Sequence, residues 1–256
     1  MSKPVLLERE GAVAIVTLNR PEQRNVLDAS LREALFDVLG ECLTEATVRA
    51  LVLAANGDFC AGGALEAYDE VTVVHARRRL QESHRILRAL IEGPKPVVAA
   101  VEGAAIGAGT GLALACDHIV AGGAACFSPS SARFASMPDW GLLFTLPRRI
   151  GFAKSRELFL FGGVVEAEAA LEMSLVDATV PEGRARAAAV EKASRLASFP
   201  PLAIKVTKAA VNGLDQNLEA VLHAELEGQP YLFRSEDFHE AVSAFKERRV
   251  PDFHGR

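Results

Sequence analysis

Val13 to Asn19 is an apolar, mostly β-branched run that stops at Arg20-Pro21, the pattern of a buried strand ending in a turn. Leu31, Leu35, Val38, Leu39, Cys42 and Leu43 then recur at helical spacing. Asp28 or Ser30 is available as N-cap, and Ser30 with Glu33 forms a capping-box pattern. Ala50 to Ala54 predicts a second short strand, closed by Asn56-Gly57. A long helix is expected over Val73 to Ile91, ended by Gly93-Pro94, and a strand over Val97 to Val101. Gly103 to Gly111 then runs into a close-packed helix over Leu112 to Cys116, and Ile119-Val120 returns to the sheet. Strands alternating with helices imply an α/β fold with parallel pairing and helical crossovers.

Beyond Pro181 the pattern becomes helical, over Arg186 to Ala197, Leu202 to Val211, Leu218 to Leu226 and Glu236 to Phe245, with breaks at Pro200-Pro201 and Gln229-Pro230. The expected division is a core over 1–195 and a carboxy-terminal helical region over 196–256. The 256 residues suit that plan: one large domain with an appendage.

Charge narrows the function classes. A net charge of −5 provides no positive field to gather nucleic acid, and none is expected as a partner. Arg77-Arg78-Arg79 reads as a solvated helix face and Arg148-Arg149 as a turn after Pro147. Cys42, Cys60, Cys116 and Cys126 lack paired or ligand spacing, and three have apolar neighbours, so free thiols in a reducing cytosol are expected. The first ten residues carry no secretory pattern, and no stretch reaches the ~20 apolar residues of a membrane span. The expectation is a soluble, cytoplasmic protein.

Two glycine-rich segments are candidates for chemistry. In Phe59-Cys60-Ala61-Gly62-Gly63-Ala64-Leu65 the paired glycines serve a tight turn or let backbone N–H groups approach a ligand oxygen. Gly103, Gly107, Gly109 and Gly111 sit between a strand and a helix whose amino end offers unpaired N–H groups. No Gly-Lys-Ser/Thr follows, which excludes a P-loop. The six histidines show no metal-ligand spacing, and Ser128, Ser130, Ser131 and Ser136 have no evident His/Asp relay.

The order of these segments, with LNRPEQRNVLD, FCAGGAL, PKPVVAAVEGAAIGAGTGLALACD, LPRRIG and AFKERRVPDF, resembles the crotonase (enoyl-CoA hydratase/isomerase) superfamily over nearly the whole chain. The resemblance implies a spiral of ββα units with a carboxy-terminal helical region, assembled as a homotrimer or dimer of trimers, and an acyl-CoA substrate with no separate cofactor and no metal. It also implies that the backbone N–H groups of Gly63 and Ala108 form an oxyanion hole for the thioester carbonyl, flanked by Ala61, Ala64 and Leu65. Arg24, Phe245 and Arg248 match positions near the CoA moiety; a surface cation and plain helix packing are the alternatives.

The two glutamates of the family's hydratases correspond to Gly111 and Ser131, and neither can act as an acid or base. Asp139 in SMPDWGLLFTLPRRIG matches the aspartate of the epoxyphenylacetyl-CoA and dienoyl-CoA isomerases. One carboxylate suffices for double-bond or ring-opening isomerisation, and Met137, Trp140 and Leu142 give it an apolar setting; a helix N-cap is its structural alternative. Trp140 belongs either to the acyl pocket wall or to the core. The competing expectations are a hydratase or lyase with its acid displaced to Glu66, Asp69 or Glu70, beside Tyr68, and a non-catalytic acyl-CoA binder.

Overall fold

A computed structural model describes residues 3–64, 72–129, 136–213 and 218–256. β1 (Val5–Glu10) and β2 (Val13–Leu18) form an antiparallel hairpin, and β3 (Ala50–Ala55), β4 (Val97–Val101), β6 (His118–Gly122) and β9 (Ala178–Val180) extend it in parallel. A second sheet holds β5 (Ala104–Ile106), β7 (Cys126–Ser128) and β8 (Val165–Glu166).

Alternation along the strands builds two apolar layers. Ala14, Val16, Leu51, Leu53, Val97 and Ala99 join the core that also contains Leu31, Leu35 and Leu39 of α1 (Ala29–Thr44) and Ile86, Leu87 and Leu90 of α2 (Val73–Ile91). The residues between them, Val13, Ile15, Val52, Val98 and Ala100, meet Ala185, Ala189, Ala193 and Ala197 of α6 (Ala185–Ala197). An alanine every four residues gives α6 a flat face that lies close to the sheet. The Glu102 carboxylate accepts from the Ala185 amide at 2.9 Å and so caps α6 from the end of β4. The boundary expected at 195 falls inside this helix, whose Ala197 is still buried.

The remaining helices are α3 (Ala108–Leu114), α4 (Leu142–Phe161), α5 (Ala167–Glu172), α7 (Pro201–Gly213), α8 (Leu218–Phe233) and α9 (Glu236–Glu247). Lys208 pins α7 to the core: its ammonium donates to the Leu90 and Lys95 carbonyls and to Asp117, at 2.6–2.9 Å.

Several local expectations change. Of the two caps expected for α1, Asp28 takes the role, accepting from the Leu31 amide at 2.7 Å, while the Ser30 hydroxyl, read as part of a capping box, is a partner of Arg20. Arg148-Arg149 lies within α4 instead of at a turn: Arg148 stacks 3.5 Å over Phe144 and Arg149 binds Asp177. The break in that helix comes at Gly151, whose φ is +77°. Pro230 is inside α8 and does not end it; the carbonyl four residues before it belongs to the exposed Leu226, on a helix that buries no residue. All four cysteines are free, and Cys42, Cys60 and Cys116 are buried.

Candidate active site

The two glycine-rich segments run side by side. Cys60 and Ala105 form a parallel bridge, with Cys60 N–H donating to Ala104 O and Ile106 N–H donating to Cys60 O, each at 2.9 Å. Past this bridge the two segments diverge: Ala108 opens α3 directly after Gly107, and Gly63 bridges Leu27. Backbone contact makes glycine necessary here: a Cβ on Gly62, where φ is +106°, would lie 3.1 Å from the Ile106 carbonyl oxygen, and one on Gly109 would lie 2.9 Å from Cys60 Cβ. Neither the Gly63 nor the Ala108 amide has an acceptor among the described residues. α3 has only seven residues, so these individual amides matter more than any helix dipole.

Residues that sequence reasoning missed hold this frame together. Asn25, fully buried at φ +51°, donates to the Asn56 and Asp58 carbonyls and accepts from the Arg20 amide. Asp58 accepts from Ala104 N–H at 2.7 Å and from Arg24 at 2.6 Å. Burial pushes the Asp58 carboxyl up, but these two donors outweigh it and hold its pKa below the ordinary carboxylate range. The Arg24 side chain is thus already engaged, although it stays 60% exposed, and its carbonyl accepts from Ala61 N–H. Asp58 and Asn25 lie in NGDF and RPEQRN, polar residues beside turns, a signal that names a loop without naming what it ties together.

Asp139 precedes α4 but does not cap it. Gly141 is the N-cap, and Asp139 serves the helix end with its carbonyl, accepting from Leu142 N–H at 3.0 Å. Burial raises the Asp139 pKa above the ordinary carboxylate range; its own backbone N–H and the charges of Arg79 and His84 oppose the rise without cancelling it. Trp140 is 5% exposed and takes φ +48°, a left-handed conformation unusual for an aromatic residue. That turn drives its backbone against α3: a Cβ on Gly111 would sit 2.6 Å from both Trp140 Cβ and Trp140 O. Position 111 is therefore sterically closed, and Trp140 belongs to the main core.

Asp139 and Trp140 are thus joined to the Ala108 helix through Gly111. Phe245, 85% exposed on α9, and Arg248, the left-handed cap of that helix, touch none of these residues in any described contact. Leu65, Glu66, Tyr68, Asp69, Glu70, Ser130 and Ser131 lie outside the described residues.

Residues 8–256 match the family model for enoyl-CoA hydratase/isomerase. The chain belongs to that family, within the crotonase superfamily. It is 39% identical over 256 residues to a probable enoyl-CoA hydratase of Rhodobacter capsulatus, covering 97% of each chain. It is 33% identical over 262 residues to the 1,2-epoxyphenylacetyl-CoA isomerase of Escherichia coli, covering 100% of each. The crystal structure of an enoyl-CoA hydratase from Bacillus anthracis superposes with a TM-score of 0.94 at 31% identity, over 99% of this chain and 100% of that one. As a family member this chain is an acyl-CoA enzyme. Hydratase names recur more often than isomerase among its relatives, so membership alone does not select the reaction.

Proposed function

We propose that this enzyme shifts the double bond of an unsaturated acyl-CoA thioester, with Asp139 as the proton carrier and the Gly63 and Ala108 amides gripping the thioester oxygen. The observation that supports this over hydration is the closure of position 111 by Trp140. Water addition by the family's two-glutamate route needs a carboxylate there, whereas isomerisation needs one group that takes and returns the same proton. The Asp139 carboxylate removes a proton from Cα of a β,γ-unsaturated thioester. The electron pair moves through the conjugated system onto the thioester oxygen, and the proton returns at Cγ. Two fixed amides favour the dienolate over the ground-state carbonyl because its oxygen carries more charge. Burial suits Asp139 to both halves of the cycle by bringing its pKa closer to neutrality. Coenzyme A is part of the substrate, and the proposed chemistry uses no further cofactor.

The test is turnover of a β,γ-enoyl-CoA and of crotonyl-CoA in deuterated solvent. Isomerisation and α-deuterium exchange that disappear in Asp139→Ala are expected, with slow hydration. Fast hydration that survives this substitution overturns the assignment.

The hydratase reading has the names of relatives in its favour and draws its acid from Glu66, Asp69 or Glu70. Loss of hydration on replacing one of these, with Asp139→Ala silent, would establish it. Assembly as a homotrimer or a pair of trimers is proposed with the activity. α8 buries no residue within one chain and exposes Leu218, Leu226 and Tyr231, apolar surface of the kind subunits cover. Analytical ultracentrifugation tests this, and a monomer at micromolar concentration would refute it.

A further inference from the structure

An open cavity of about 520 Å³ lies among α2, α4 and α7, and we infer that it takes the far end of the acyl group and selects neutral, apolar acyl chains of medium length or greater. The inference rests on the proposed site, to which the cavity wall is tied through Gly141, Leu87 and His84. Gly141 is two residues from Asp139, and Leu87 Cδ1 lies 3.5 Å from where a Cβ on Gly141 would be. His84, another wall residue, acts electrostatically on the Asp139 carboxylate. At the other side, Trp140 contacts Gly111, three residues or ~4.5 Å along α3 from Ala108. An acyl chain held by its carbonyl at Ala108 and passing Asp139 would therefore enter the cavity with its distal carbons.

The walls give the chemical class. Leu87 and Ile91 from α2, Gly141 and Phe144 at the start of α4, and Ala209 and Gly213 from α7 form an apolar lining. The volume falls within the range of small-molecule pockets and exceeds what a four-carbon acyl group would fill. An acyl group ending in a carboxylate would need an unengaged cation. The lining Arg88 is paired with Glu92 at 3.7 Å, and Asn212 spends its amide N–H on the Ile91 carbonyl at 2.8 Å. His84, the other lining group able to carry positive charge, acts on Asp139, so among the described residues the wall favours a neutral chain over a charged one.

Titration calorimetry of the purified full-length protein with saturated butyryl-, hexanoyl-, decanoyl- and adipyl-CoA tests this without requiring turnover. Burial of a methylene contributes roughly fourfold in affinity, so decanoyl-CoA is expected to bind at least about tenfold more tightly than butyryl-CoA in this partly open cavity. Adipyl-CoA should bind no better than hexanoyl-CoA. Ala209→Trp and Gly213→Leu, each shown folded by circular dichroism, should collapse the decanoyl-to-butyryl ratio towards one. Equal binding of the two saturated chains, a ratio indifferent to both narrowing substitutions, or a preference for adipyl-CoA overturns the inference. A chain-length preference abolished by narrowing, in a protein with no isomerase turnover, would leave the cavity assignment standing and remove the isomerase reading alone.

Discussion

The proposed oxygen-binding half of the site and its proposed proton-carrying half are built by opposite means. The first is main chain: two amides displayed by segments so close that side chains at positions 62 and 109 would strike the neighbouring strand. The second is one carboxylate on a turn with left-handed backbone at two consecutive residues, Trp140 and Gly141. In the first half, shape is everything and side-chain identity matters only where a Cβ cannot fit. In the second, the proposed chemistry falls on one functional group, whose pKa its surroundings raise.

The largest expected effect separates the halves most sharply. Asp139→Asn should lower kcat for isomerisation by about 10²–10⁴-fold, the usual worth of a positioned acid-base group. Acyl-CoA affinity, measured by calorimetry, should change little because the amides remain. Gly109→Ala attacks the other half. It should lower kcat by about 10²–10³-fold, the cost of losing one donor, and should depress the melting temperature as well, because its Cβ meets Cys60.

Gly111→Ala should leave the amides in place yet destabilise the fold by roughly 1–3 kcal/mol through overpacking against Trp140, read as a lower denaturation midpoint. Gly111→Glu alone should not create a hydratase. A well-folded Gly111→Glu with rapid crotonyl-CoA hydration would show that Trp140 yields easily and would dissolve the distinction drawn between hydration and isomerisation.

The smallest effect concerns stability and pH. The Asp139 pKa is raised in the fold, so the folded state holds this proton more tightly than the unfolded chain. The corresponding stability is present at pH below the unfolded carboxylate pKa and is lost as pH rises through the folded value. Asp139→Asn, which removes the ionisation, should therefore raise the melting temperature more at pH 7 than at pH 4. Differential scanning calorimetry at the two pH values reads the difference; an equal shift at both would mean that burial of the charge costs nothing.

The contrast also explains what could be read from the sequence. Strands β2, β3, β4 and β6 and helices α1 and α2 announce themselves through period and punctuation, since one buried face leaves a regular apolar trace. The short strands β5, β7 and β8 have two or three residues each and leave no period. α4 escapes because Pro147, Gly151 and paired arginines look like a turn, although the helix runs through the first and kinks at the second. At the site, the glycines were legible as close approach, but their partners were not, because Cys60 meets Gly109 and Trp140 meets Gly111 only after the chain has folded. The N-cap alternative for Asp139 fell for a similarly local reason: Gly141 takes the cap and leaves the carboxylate free for other work.

A crystal structure with a slowly reacting β,γ-enoyl-CoA analogue tests the central arrangement most directly. The account predicts the thioester oxygen about 2.7–3.1 Å from both the Gly63 and Ala108 nitrogens, with an Asp139 carboxylate oxygen beside Cα and within reach of Cγ. A thioester oxygen bound by neither amide, or an acyl chain running away from Asp139, would contradict it.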